Sequence, residues 1–200
     1  MREVNAGPRT RTRDIARAAV RSELAQVAYD LIRREGFDKV TVSDLAAAAG
    51  VSRSTFLRYF GTKEDAVLGA LDAQGEQLAD ALRDRPADED DWTALRRSLD
   101  VLVEPYRLDP AEALATTRLI MGTPALCTRQ REKQNSWRPL LVGALAERTD
   151  PARPFTVALS VRAGAALECL NTALDHWIVS DGDLDLVDLL DEAFAALTIG

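Results

Sequence analysis

The chain has 200 residues, 46% hydrophobic and 28% charged, enough apolar material for a packed core and too much for an intrinsically disordered chain. Cys127 and Cys169 are far apart and have no neighbouring His or Cys, which excludes a disulfide framework or a paired metal site. The formal charge of −7 is unevenly spread: residues 1–60 carry 11 Lys and Arg against 7 Asp and Glu (+4), and residues 61–200 carry 14 against 25 (−11).

An electropositive head on an acidic body orients on DNA, because phosphate attracts one end and repels the other. No run of about 18 apolar residues and no N-terminal signal core is evident, so a cytoplasmic protein without a membrane partner is expected. Residues 1–13 carry Arg2, Arg9, Arg11 and Arg13 around Gly7-Pro8 without apolar periodicity, and read as a flexible basic arm. From about Arg17, Leu24, Val27, Ala28, Leu31 and Ile32 recur at helical spacing until Gly36 closes a first helix.

Thr41 is an N-cap with Asp44 three residues on, and Leu45, Ala46 and Ala49 give the second helix an apolar face that ends at Gly50. Ser52 is a second N-cap immediately after Val51, so a third helix must start near Arg53 on a new axis. In that helix Phe56 and Phe60 are four apart and face inward. Arg53, Ser54, Thr55, Leu57, Arg58 and Tyr59 share the remainder, without one carboxylate.

Thr62, with Asp65 behind it, caps a fourth helix expected to reach about Arg83 and to serve as a lever between two domains. After the charged break at residues 85–91, helices are expected over 92–108, with Pro105 kinking or ending it, and over 111–121, started by Asp109-Pro110. Three more follow, from Pro124 toward Glu147 with a bend at Pro139, over 155–179, and over 184–197, making about nine in all. No strand pattern competes. The fold class is therefore all-α, with a basic arm at 1–13, a three-helix helix-turn-helix domain at 14–61 and a helical ligand-binding and dimerisation domain at 62–200.

From Leu24 through Leu68 the chain resembles the TetR family of transcriptional regulators. The resemblance rests on Gly36-Phe37, Thr41-Val42, Ala46, Ala49-Gly50-Val51-Ser52, Thr55-Phe56, Tyr59-Phe60 and Lys63-Glu64 in that order. It implies that Thr41, Tyr59 and Lys63 contact phosphates of a double-stranded operator while Arg53, Ser54, Thr55 and Arg58 lie at base edges. The sequence departs from the usual pattern at Leu57, where many members carry Tyr, and at Ser54, where Gly is frequent.

One reading helix spans few base pairs, so a two-fold homodimer on a pseudo-palindromic site is expected, paired through the apolar last two helices. Tyr106, Trp137, Asn171, His176 and Trp177 are candidate lining for a cavity taking a small, largely apolar effector. Arg131 and Arg138, with Lys133 and Trp137, add a basic stripe. This segment and Leu174-Asp175-His176-Trp177 resemble the C-terminal domain of regulators in the family associated with acyl-CoA-type ligands, which implies an amphipathic effector of that kind.

A repressor released by its effector is the expected function. The alternative is an all-helical interaction module that no longer binds DNA. No Ser/His/acid set, phosphate-binding glycine loop or metal-ligand cluster is evident, so neither catalysis nor a cofactor is expected.

Overall fold

The computed structural model describes residues 8–69, 71–149 and 157–197, all of whose regular structure is helical. The chain separates into two compact units, residues 1–70 and 71–200, so the short helix after the reading helix belongs with the first unit and the expected boundary at 61/62 moves.

In the first unit α1 (Pro8–Glu35) begins ahead of the expected start near Arg17. Proline is pre-set for a first helical position. Residues 8–13 of the expected flexible arm are thus helical, and residues 1–7 lie outside the described residues. Leu24, Ala28 and Ile32, four apart, give α1 a buried stripe. Phe37 and Val40 bring the chain back beneath it.

Helix α2 (Val42–Ala48) starts with the expected reciprocal cap: the Asp44 amide donates to Thr41 Oγ1 and the Thr41 amide donates to Asp44 Oδ2. It stops because Gly50 takes φ +67, which lets the Val51 amide reach the Ala46 carbonyl and the Gly50 amide reach that of Ala47. Helix α3 (Arg53–Phe60) follows at once, and α4 (Lys63–Val67) is capped by Thr62, which accepts from the Asp65 amide.

The single helix expected over 62–83 is two. Helix α4 ends at Leu68, which is buried, and Gly69 is a poor helix former, so α5 (Leu71–Arg83) starts anew. The helix expected over 92–108 likewise divides into α6 (Asp91–Ser98) and α7 (Asp100–Leu108) at Leu99, a buried residue whose amide bonds the carbonyl of Arg96, three back. These two breaks turn the nine expected helices into eleven among the described residues. Pro105 lies inside α7 rather than ending it; the carbonyl it strands is that of Val101, an exposed residue.

The second unit continues with α8 (Pro110–Gly122), α9 (Pro124–Thr149), α10 (Val157–Val179) and α11 (Leu186–Ala195). Pro110 occupies the first turn of α8 behind the Asp109 cap, and α9 runs through Pro139. Its core is made of Leu78, Leu82, Leu95, Leu99, Leu141, Leu145, Leu170, Trp177 and Leu190 with their neighbours.

Two contacts set helix spacing there. Gly75 on α5 lies against the Trp137 indole so closely that a Cβ would fall 2.4 Å from Cδ1. Arg148 at the end of α9 donates to the carbonyls of Leu82, Arg85, Pro86 and Glu89, tying down the turn after α5.

By length and composition alone α10 would suffice to cross a membrane, although Arg162, Glu168 and Asp175 interrupt its apolar run. Its inward face, Leu159, Ala163, Ala166, Leu167, Leu170 and Leu174, belongs to the core of this unit.

Candidate nucleic-acid interface and effector unit

An eight-residue helix is marginal by itself, so α3 depends on what it buries. Phe56 and Phe60 are both buried, their rings 5.0 Å apart. Burial of each contributes roughly 1.5–3 kcal/mol to holding it. Its start is fixed by Ser52, whose Oγ accepts from the Thr55 amide (3.1 Å), donates to Thr55 Oγ1 (2.9 Å) and lies 3.0 Å from Ser54 Oγ.

With the phenylalanines turned in, Arg53, Ser54 and Arg58 are exposed, and Thr55, Leu57 and Tyr59 are half-buried. No acid lies in the first turn. Arg17 sits over the Tyr59 ring at 5.9 Å, adding a third guanidinium to those of Arg53 and Arg58. This surface offers guanidinium forks, hydroxyls and the open amides of a helix start, the set that recognises base edges and phosphates in a major groove.

The residues expected on phosphates divide. Tyr59 lies along the edge of this surface. Thr41 is exposed, but its hydroxyl proton goes to Asp44 Oδ2 at 2.7 Å. That bond, with the one from the Thr41 amide, holds the Asp44 carboxyl below its ordinary value of 3.8. Lys63 is half-buried; its Nζ donates to the carbonyls of Phe37 (2.7 Å) and Val40 (3.0 Å) and lies 3.9 Å from the Phe37 ring centroid. An ammonium has three donors, and these carbonyls take two of them.

The six candidate effector residues are not gathered in one place. Tyr106 and Trp177 meet edge to face at 5.3 Å and border an open depression of about 310 Å³ with Pro110 and Leu186. Burial pushes the Tyr106 phenol up from its ordinary value of 10.0, against a hydrogen bond with Thr117 that lowers it. Trp137 is buried against Gly75, on a different helix pair. Arg131 and His176 are exposed, and Asn171 is half-buried. In the basic stripe, Lys133 is paired with Asp72 and Arg138 covers Gly164 on α10, and the neighbouring Arg129 is paired with Glu132.

Gln130 and Gln134 are not among the residues expected from the sequence. Both are buried on the inward stripe of α9 that also carries Leu126, Trp137 and Leu141. Two amides four apart in an apolar stripe were the available signal. Among the described residues no group of three His, Cys, Asp or Glu could hold a metal ion.

A short exposed cationic helix behind a tight turn, carried by a unit separate from a larger helical one, defines a helix-turn-helix DNA-binding regulator. Residues 24–68 match the family described as bacterial regulatory proteins, tetR family, and residues 89–200 match the MftR C-terminal domain. The chain belongs to the TetR family of transcriptional regulators, which are not enzymes.

It is 27% identical to the transcriptional regulator TcmR of Streptomyces glaucescens, over 94% of this chain and 85% of that one. It is 28% identical to a putative mycofactocin biosynthesis regulator, MftR, of Mycobacterium tuberculosis, over 92% of each. Among solved structures, Thermus thermophilus FadR in complex with lauroyl-CoA superposes with a TM-score of 0.58 at 23% identity, covering 88% of this chain and 92% of that one. Bacillus subtilis FadR in complex with stearoyl-CoA gives 0.55 at 20%, covering 90% and 98%.

Proposed function

We propose that the chain is a repressor that binds a pseudo-palindromic operator as a homodimer and is released by a small, largely apolar effector taken up by its second unit. The observation that carries the reading is the outward face of α3, basic, hydroxylic and free of carboxylates, held by Phe56 and Phe60. Arg53, Ser54, Thr55 and Arg58 read base edges, and Tyr59, Thr41 and the remaining Lys63 donor rest on phosphates.

The dimer forms through α10 and α11. Val157, Val161, Leu184 and Leu197 are all at least half exposed on or beside those helices, a cost that a second copy removes. The groove along α10, lined by Arg138, Val157, Val161, Gly164 and Glu168, has the small and apolar residues such packing uses.

The named complexes of the two FadR proteins with acyl-CoA thioesters support an amphipathic effector for a chain of this fold. For release, the effector must prefer a conformation unfit for DNA, by about 1.4 kcal/mol for each tenfold loss of operator affinity. Selection of bound sequences from random duplexes, followed by footprinting, tests the reading. Enrichment of an inverted repeat with centres about one helical turn apart is expected. Recovery of no preferred sequence would reject operator binding in favour of an interaction module.

A further inference from the structure

Each buried, uncharged polar side chain of the second unit can be asked where its hydrogen bonds go. Ser98 Oγ donates to the Leu95 carbonyl and Thr117 Oγ1 to that of Ala113, so both hydroxyls are satisfied. Gln130 and Gln134 are different. They are 8% and 5% exposed, and the Oε1 of each has no hydrogen-bond partner among the described residues.

An unmet buried acceptor costs more than a hydrogen bond typically contributes, and a leucine at either position would continue the stripe without that cost. Residues four apart on a helix are neighbours, about 6 Å between Cβ atoms, so one polar group can serve both carbonyls. Apolar Leu126 lies on one side of the pair, and Trp137 and Leu141 on the other.

We infer that Gln130 and Gln134 are the polar recognition point of the effector, and that the effector presents N–H donors to them beside an apolar chain. The inference rests on the reading that the second unit takes an effector, and it names the chemistry that unit selects. The donor class is an amide N–H. It can belong to a primary amide or to the pantetheine arm of an acyl-CoA thioester, whereas a free carboxylate or an ester has no such hydrogen.

The test is calorimetry on the full-length protein without DNA, using octanamide, methyl octanoate and octanoyl-CoA, with Gln130→Met/Gln134→Met and the two single variants alongside. Wild type binds octanamide at least about tenfold more tightly than methyl octanoate, the value of one hydrogen bond made in a buried site. The double variant, which melts no lower than wild type because two unmet acceptors are gone, loses that preference, and each single variant loses part of it. If octanoyl-CoA also weakens in the double variant, the thioester arm is the source of the donors; if only octanamide weakens, a free amide is.

Equal binding of amide and ester by wild type overturns the inference, as does a preference that survives in the double variant. If the amide preference is absent while octanoyl-CoA still releases operator DNA, the inference falls and the effector reading stands. If none of the three probes binds, the inference falls, and operator release is then judged by DNA binding alone.

Discussion

Lys63 illustrates how one residue is claimed by two tasks. Its ammonium bridges the carbonyls of Phe37 and Val40 in the turn that carries α1 into α2, and Val40 is a core residue. Removing the side chain leaves two acceptors short of a partner, so Lys63→Ala should lower stability by about 1–3 kcal/mol in a denaturant melt. Arg58→Ala, which removes an exposed side chain, should leave the melt unchanged within about 0.5 kcal/mol. Equal effects in the two variants would show that the bonds to the turn contribute nothing.

Asp90 has a comparable local role, accepting from the Trp92 and Thr93 amides at the start of α6 and from the Thr93 hydroxyl. The Thr93 hydrogen bonds hold its carboxyl below the ordinary 3.8. A depressed folded-state value adds stability above the unfolded-state value, and that stability is lost as pH falls through the folded one. Asp90→Ala should therefore cost about 1 kcal/mol at neutral pH and progressively less below pH 3.8. Parallel melting curves at all pH values would contradict this.

At the scale of elements, the contact of α5 with α9 is set by a missing side chain. A Cβ on Gly75 would overlap Trp137, which is itself buried, so Gly75→Ala should destabilise the second unit by roughly 1–3 kcal/mol despite the better helix propensity of alanine. Stabilisation in a thermal melt would mean that the indole moves freely.

Such a contact is not readable from sequence, since nothing near Gly75 names its partner more than sixty residues on. What was readable is local chemistry. The Thr41 and Asp44 pair, Ser52, Thr62, Asp109-Pro110 and the glycine at 50 each marked a helix end that the structure has. The breaks at Leu68 and Leu99 were missed because both residues suit a helix, and burial decides there. The candidate effector residues lie apart for the same reason: aromatic side chains in an apolar pattern belong to a core as readily as to a cavity, and Trp137 is held by Gly75.

At the scale of the whole molecule, the proposal requires two copies. Val161 on α10 is 62% exposed, and an arginine there would place a charge in the centre of the proposed dimer surface. Val161→Arg should shift the solution mass from twice 21.9 kDa to that value, with little change in helix content. It should weaken operator binding by about 10²-fold or more, because two linked half-sites become independent. A variant that remains dimeric would remove α10 from the interface.

The central claim, that the outward face of α3 reads DNA, is tested most directly by fluorescence anisotropy on the selected operator and on an unrelated duplex across a salt series. Wild type is compared with Arg53→Ala and Arg58→Ala. Each variant should lose about 1–3 kcal/mol on the operator and much less on the unrelated duplex, narrowing the gap between the two at every salt concentration. Variants that bind both duplexes as wild type does would contradict the account.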